Sequence, residues 1–204
     1  MNKNFAKVRL SAEEMRLVTD PAWILTKNSV MGKVVAMFAE LSEVYKPWWA
    51  DGVKQLRKRA PDWVFPETSP KISKGENYKG LPWVILDYPR FFGREDIFAI
   101  RTMFWWGHAF SLTLHLKGKY KEFFLPDIER FSLELDMADF MVSVSDDEWR
   151  HEHVPENYQS LLGDADLTAE RKFIKLSAAF SLDDWDNAPD RLAGLFLILT
   201  GILF

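Results

Sequence analysis

The hydrophobic pattern is most regular between residues 81 and 117, where three apolar-rich stretches are separated by short segments containing glycine or charged residues. The third stretch alternates apolar and polar side chains, and this period of two is typical of β-strands. The pattern predicts consecutive strands over residues 81–88, 97–106 and 110–117. A meander of this kind favours an antiparallel sheet, because antiparallel strands can be joined by short hairpin loops.

The hairpin between the second and third strands can be predicted in more detail. A two-residue turn after Trp106 would mix the apolar row of one strand with the polar row of the other. A three-residue loop, residues 107–109, instead pairs Trp106 with Phe110 and Phe104 with Leu112. One face then becomes continuously apolar. Burial of that face selects the three-residue loop, because a slip of one residue would expose it.

The same pairing predicts a second, polar face on these two strands. It places Arg101 opposite His115 and Trp105 opposite Ser111, with Thr113 on the same side. A guanidinium group can anchor an anion, and a large aromatic ring can form one wall of a ligand pocket. The prediction is a ligand-binding patch made of Arg101, Trp105, Ser111, Thr113 and His115. The alternative is a solvated sheet face whose few apolar side chains are covered by a loop.

Helical periodicity precedes the meander. Ser11 and Glu14 have the spacing of a capping box, which opens a short helix. Apolar residues recur every three or four positions over residues 29–45, and this spacing is typical of an amphipathic helix. Pro47 is expected to break or kink that helix, because proline lacks the amide proton that the helix interior requires. A second amphipathic piece follows over residues 51–59.

After the meander the pattern is weaker. Residues 140–145 alternate and predict a fourth strand, whereas residues 145–157 are polar and acid-rich and predict an exposed loop. Pro155 is well placed in the first turn of a brief helix ending near Gly163. Residues 171–182 fit either a strand or a helix, and the strand is preferred because most alternate positions are apolar.

The last helix is predicted over residues 188–203 and is apolar around nearly its whole circumference beyond Arg191. Such a helix must be buried on all sides, either by the rest of the chain or by a second subunit. Gly194 and Gly201 lie two turns apart and would allow another element to approach closely. The favoured interpretation is a buried terminal helix against the sheet, and the alternative is a homodimer contact through this helix.

Together these elements predict one α+β domain over residues 1–204. Its antiparallel sheet has four to five strands, with the meander of residues 81–117 at its centre. Helices from both termini pack on one face of the sheet. The proline-rich stretch over residues 60–79 is a loop that holds a short edge strand near residues 71–78.

Composition narrows the class of protein. The chain has 204 residues, of which 48% are hydrophobic, and its nine tryptophans and sixteen phenylalanines indicate a bulky core or a cavity lined by rings. The absence of cysteine excludes disulfides, thiolate nucleophiles and cysteine-based metal sites. A net charge of −4 gives no reason to expect a nucleic-acid partner.

Two features bear on location. The first twenty residues contain no uninterrupted apolar segment of the kind found in secretion signals, so a cytoplasmic protein is expected. The apolar run at the carboxyl end would span only about 20 Å as a helix. A bilayer core is about 30 Å thick, so no membrane partner is expected.

Candidate chemistry is sparse. The sequence has no glycine-rich phosphate loop, nucleophile elbow, HExxH motif or dinucleotide fingerprint, so no cofactor is expected and enzymatic activity is left open. The preferred hypothesis is small-molecule binding through the polar sheet face. One alternative is a metal-assisted hydrolase that uses His151 and His153, which form an HxH pair beside acidic residues. Another is a homo-oligomeric interaction module assembled through the apolar carboxyl-terminal helix.

Overall fold

The structure is a computed structural model that describes residues 9–60, 65, 68–163 and 171–204. Parts of the loop predicted over residues 60–79 lie outside the described residues. The fold is α+β, as predicted. The helices are α1 (Ala12–Thr19), α2 (Ala22–Arg59), α3 (Lys119–Arg130), α4 (Ser132–Met137), a 3₁₀ helix (Leu182–Asn187) and α5 (Ala188–Leu203). The strands are β1 (Lys71–Tyr78), β2 (Leu81–Phe92), β3 (Ile97–Trp105), β4 (Ala109–Lys117), β5 (Met141–Ser143), β6 (Tyr158–Ser160) and β7 (Phe173–Ser181).

All seven of these strands belong to one antiparallel sheet, in the order β1-β2-β3-β4-β7-β5-β6. The meander is central, as predicted, but the sheet has more strands than the four or five expected. The edge strand expected near residues 71–78 is β1, and the strand preferred over residues 171–182 is β7, so both predictions are confirmed.

The strand β6 occupies the place of the brief helix predicted to end near Gly163. The amides of Asn157 and Tyr158 both donate to the Val154 carbonyl, at 2.9 Å, which forms a single turn. The chain then becomes extended, and Tyr158 pairs with Ser143 of β5. The predicted helix is therefore wrong, because pairing with a neighbouring strand outweighs a weak local helix signal.

Helices α2 and α5 come from opposite ends of the chain and cover one face of the sheet together with α3. Phe196 of α5 stacks on Tyr45 of α2, with ring centroids 3.9 Å apart, and the Tyr45 hydroxyl lies 3.3 Å from the Thr102 hydroxyl of β3. Burial of one large apolar side chain contributes about 1.5–3 kcal/mol to stability. This contact therefore ties both terminal helices to the central strands. The sheet side of the core consists of Val84, Leu86, Phe98, Ile100, Phe104, Phe110, Leu112, Leu114, Leu116, Ile174 and Leu176.

Helix α2 is continuous through Pro47 over 38 residues, so the predicted division into two helices is wrong. Proline in a helix interior costs roughly 3 kcal/mol, because one hydrogen bond is lost and the ring crowds the preceding turn. Pro47 itself is exposed, whereas Tyr45 and Trp49 on either side of it are buried in the core. Packing of both flanking turns offsets the cost and holds the helix together.

The hairpin loop between β3 and β4 has the predicted length of three residues but begins one residue earlier in the sequence. The loop consists of residues 106–108, and Trp105 is the last residue of β3 to pair with β4. Gly107 lies in the middle of this loop with a φ of 71°, a conformation that glycine adopts without steric cost. The predicted pairing of Trp106 with Phe110 is therefore wrong.

The sorting of side chains between the two faces is unaffected by this error. Arg101 pairs with Thr113 rather than with His115, and Trp105 pairs with Ala109 rather than with Ser111. The actual register differs from the predicted one by two residues, and a shift of two leaves every side chain on its predicted face. The apolar row faces the helices, and the polar row occupies the opposite face.

Helix α5 has the predicted bounds but is not buried on all sides within the chain. Leu197 is 49% exposed and Ile198 is 41% exposed, so an apolar strip remains open. Apart from neighbouring residues of the helix itself, no described atom lies within 4 Å of where a side chain would start at Gly194 or Gly201, so neither glycine accommodates another element of the described chain. The homodimer contact stays a prediction. Among the described residues, no helix combines the length and apolar character needed to cross a bilayer.

Gly52 of α2 is the position where the ring of Phe204 packs against the helix backbone, so that a Cβ atom there would overlap the ring. Gly32 lies on the same helix with open space around it. We expect Gly52→Ala to lower the free energy of unfolding by about 1–3 kcal/mol through overpacking. We expect Gly32→Ala to raise it by about 0.5–1 kcal/mol. Urea denaturation measures both, and equal stabilisation by the two substitutions would contradict the packing of Phe204.

Candidate functional site

The polar face of the sheet is covered by residues 144–157, which we call the strap. The strap was predicted as an exposed loop, and it has no regular secondary structure. Its histidines nevertheless turn toward the sheet. The Nε2 atom of His151 lies 3.1 Å from Nη1 of Arg101, and the Nε2 atom of His153 lies 2.9 Å from the Ser177 hydroxyl. The prediction of exposure is therefore wrong for these side chains, because polar groups on the sheet provide their partners.

Lys175 of β7 fixes the strap to the sheet. Only 1% of this residue is exposed, and its ammonium group donates hydrogen bonds to the carbonyl oxygens of Glu148, at 3.2 Å, and Arg150. Burial and the nearby charge of Arg101 lower the pKa of Lys175 to about 7. Sequence reasoning did not single out this lysine, because it follows the ordinary alternation of its strand.

Arg101 lies at the centre of the polar face and is held from two sides. Its Nε and Nη2 groups donate to the two carboxylate oxygens of Asp87, at 2.7 and 3.0 Å, which is the bidentate geometry of a strong ion pair. Its Nη1 group donates to His151 Nε2 at 3.1 Å. Since arginine can only donate, Nε2 of His151 accepts and the ring proton resides on Nδ1. Two of the five N–H groups of Arg101 have no partner among the described residues.

Three histidines between the strap and the sheet are held in the neutral form. Burial and the charges of Lys175 and Arg101 lower the pKa of His151 well below its usual value. Burial and Lys175 lower the pKa of His153 to about 4. Burial, Lys175 and Arg101 lower the pKa of His115 to about 3. At neutral pH the positive charge of this face therefore belongs to lysine and arginine side chains.

A cleft of about 550 Å³ opens between the strap and the end of the sheet formed by β1, β2 and β3. This volume lies within the roughly 300–1,000 Å³ that is common for small-molecule sites. Its charged lining consists of three cations and one carboxylate, which are Lys71, Arg90, Arg101 and Asp87. Its aromatic lining consists of Tyr78, Trp83, Phe92 and Trp149 together with the ring of His151. The cleft thus combines flat apolar walls with a net positive charge.

A second pocket of about 260 Å³ adjoins the cleft, and Met103 and His151 line both. Its other lining residues are Trp105, His108, Ala109, Ser111, Glu152, His153 and Val154. The polar face therefore carries two neighbouring cavities instead of one flat patch.

The structure distributes the predicted patch over three places. Arg101 lines the cleft, whereas Trp105 and Ser111 line the second pocket. Thr113 and His115 line neither cavity, because each is bonded to another protein side chain beneath the strap. The cleft also contains residues of β1, β2 and the strap that sequence reasoning did not identify.

His151 and His153 are two residues apart on an extended strap and point to the same side, as an HxH pair should. The Nε2 atom of His151 lies against Arg101, and that of His153 lies against Ser177. Within the part of the chain that the structure describes, no group of three or more histidine, aspartate or glutamate side chains is arranged to hold a metal ion. The metal-assisted hydrolase remains a prediction that this geometry does not support.

Comparison with known proteins gives no relative: no protein-family model matches the chain, and no curated protein or solved structure is significantly similar to it. The geometry of the polar face is therefore the basis for a functional proposal.

Proposed function

We propose that the protein binds a small anion with a flat apolar body in the cleft beside Arg101. The observation that carries this proposal is the combination of three cations, one carboxylate and several aromatic side chains around one cavity. Cationic side chains bind the charged end of such a ligand, and aromatic walls bury its apolar body.

Arg101 is prepared for this role by its fixed position. The bidentate contact with Asp87 holds the guanidinium plane, and two N–H groups remain for a ligand. The ring of Phe92 lies 5.7 Å from the guanidinium carbon and extends the apolar wall next to the charge. A donor that is already oriented loses little conformational entropy on binding, which favours affinity.

The net charge of the cleft comes from Lys71 and Arg90, since Asp87 balances the charge of Arg101. Burial and neighbouring cations lower the pKa of His151 and keep it neutral, so its ring adds an apolar surface without an opposing charge. These features support an aromatic carboxylate or phosphate as the ligand, and they disfavour a cation.

We expect benzoate to bind the protein and Lys71→Gln to weaken that binding about two- to fivefold, because an exposed ion pair contributes up to about 1 kcal/mol. Lys74→Gln is the matched control, since Lys74 is also exposed on β1 but its side chain points to the other face of the sheet. Isothermal titration calorimetry measures both affinities. Equal weakening by the two substitutions would show that only net charge matters.

A double substitution tests the centre of the cleft without leaving a buried charge. Asp87→Asn with Arg101→Gln keeps the net charge of the protein and retains a neutral hydrogen-bonding pair. We expect benzoate binding to weaken more than tenfold in this variant. Phenyl phosphate distinguishes phosphate from carboxylate preference, and benzamide serves as the uncharged control. Binding of benzamide as tight as that of benzoate would overturn the proposed function.

A further inference from the structure

The second pocket is lined by a hydroxyl group that has no hydrogen-bond partner among the described residues. Ser111 is only 8% exposed, it lines the pocket, and its hydroxyl makes no hydrogen bond to any described residue. Because Ser111 lines the pocket, its hydroxyl is accessible from the cavity and can donate or accept there. A polar ligand atom that reached it would form a hydrogen bond worth about 0.5–1.5 kcal/mol. The hydroxyl thus marks the pocket as a place for a polar atom of a ligand.

One wall of the pocket is flat and fixed. The rings of Trp105 and His108 stack with centroids 3.5 Å apart and planes inclined by 9°. The Trp105 indole also donates from Nε1 to the Tyr78 carbonyl at 3.2 Å, which fixes the ring in its plane. Together with Met103 and Val154, these rings make the pocket largely apolar. A flat ring fits such a wall better than a flexible chain does, because it loses fewer rotatable bonds on binding.

The charge of the second pocket is opposite to that of the cleft. Burial acts to raise the pKa of Glu152, but hydrogen bonds from the Tyr78 hydroxyl, Lys79 and backbone amides outweigh it and bring the pKa to about 2, so this carboxylate is ionised. The lowered pKa values of His151 and His153 leave these side chains uncharged at neutral pH. Among the described residues that line the pocket, none is a lysine or an arginine. An anion is therefore disfavoured here.

The two cavities adjoin at Met103 and His151. A ligand that extends past Met103 and His151 would reach from the cations of the cleft to the Ser111 hydroxyl. The cleft attracts an anionic group, whereas the second pocket suits an uncharged apolar group, so the two cavities fit two parts of the same molecule.

We propose that the second pocket binds an uncharged flat ring of the ligand whose anionic end lies at Arg101. This inference rests on the function proposed above and narrows its ligand class to an anion joined to a second ring that carries one hydrogen-bonding atom. The ring contacts the pair formed by Trp105 and His108, and its polar atom meets Ser111.

Three probes separate the two cavities in calorimetric titrations of the whole protein. Benzoate tests the cleft, indole tests the second pocket, and indole-3-propionate joins an anion to a ring with an N–H group. We expect indole-3-propionate to bind at least tenfold more tightly than either fragment, because linked fragments lose translational freedom only once.

Two substitutions that spare the core locate the ring. Ser111→Ala removes the hydroxyl and is expected to weaken indole binding about two- to tenfold. Val154→Trp fills the pocket from the strap, where Val154 is 37% exposed, and is expected to abolish indole binding. Both variants are expected to bind benzoate as the unaltered protein does, which also shows that they are folded.

The outcomes distinguish the two proposals. If benzoate binds but indole does not, or if Val154→Trp leaves indole binding unchanged, the inference about the second pocket is wrong. That inference is also wrong if indole-3-propionate binds no more tightly than benzoate. If benzoate fails to bind while indole does, the function proposed for the cleft is wrong.

Discussion

Lowering the pH from about 7.5 to about 5.5 is expected to reduce the free energy of unfolding by about 4 kcal/mol through three buried histidines. His115, His151 and His153 all have pKa values below the ordinary histidine value of about 6.5. Below that value the unfolded chain takes up protons that the folded chain does not, so acid favours unfolding. At about pH 5.5, one unit below that value, each such histidine has lowered the free energy of unfolding by about 1.4 kcal/mol. Above about pH 7.5 their contribution to stability is complete.

The charges around these histidines explain the direction of the pKa shifts. Burial is the largest cause in each case, and Lys175 is the cation common to all three. Arg101 adds to the effect at His151 and His115, and Lys117 adds to it at His115. Glu148 lies 3.2 Å from the Nε2 atom of His115, but it is shared with Lys117. The carboxylate does not outweigh burial and the cations.

Urea denaturation at the two pH values measures this effect, and His153→Gln tests its origin. Glutamine can keep a hydrogen bond to Ser177 but does not titrate, so about 1.4 kcal/mol of the pH dependence should disappear. His108→Gln is the matched control, because His108 is exposed in the hairpin loop. Retention of the full pH dependence in His153→Gln would contradict the explanation.

The sheet was largely predictable because its central strands have strong alternation. The parity of β3 and β4 identified the polar face, and Arg101, Trp105 and Ser111 do line cavities on it. The exact pairing was not predictable from the alternation. Moving a three-residue loop by one position along the sequence shifts the register by two residues, and every side chain then stays on the same face. The stacking of His108 on Trp105, which accompanies the actual loop, involves contacts that no periodicity reveals.

The β2 side of the cleft depends on an irregularity that periodicity conceals. Asp87 and Arg90 are three residues apart, so regular alternation would place them on opposite faces. A register shift between these two residues lets Asp87 pair with Arg101 and Arg90 pair with Ala99 on the same face. Pro89 lies within this shift, and proline in a strand interior is tolerated at such bulges. The proline was therefore the available signal, but it does not specify which residues the bulge brings together.

The packing of the strap against the sheet could not be predicted from composition, for a different reason. Its acidic and polar residues are typical of an exposed loop, and only the tertiary structure shows that the sheet beneath it is also polar. Lys175 binds the strap backbone, while Ser177 binds His153. Buried polar contacts of this kind leave no hydrophobic pattern in the sequence. A polar side chain can be recognised as buried only when its hydrogen-bonding partner on the facing element is known.

Replacing Asp87 by alanine is expected to lower the free energy of unfolding by about 3–5 kcal/mol. Asp87 is 6% exposed and the Arg101 side chain is 16% exposed, so the substitution would leave a largely buried guanidinium without its counter-charge. Asp51→Ala is the matched control. Asp51 pairs with Lys54 at 2.6 Å, but both side chains are at least 70% exposed, so its loss should cost at most about 1 kcal/mol.

The double variant of Asp87→Asn with Arg101→Gln separates the cost of an unpaired charge from the value of the pair itself. Removing one partner of a buried pair is costly, whereas neutralising both can be nearly neutral. We expect urea denaturation to show that the double variant recovers most of the stability that Asp87→Ala loses. A double variant as unstable as Asp87→Ala would mean that the pair itself stabilises the fold, and the loss of benzoate binding could then not be assigned to the cleft alone. If the double variant instead recovers stability but no longer binds benzoate, Arg101 is a binding residue. The fold then tolerates its buried charge only because Asp87 balances it.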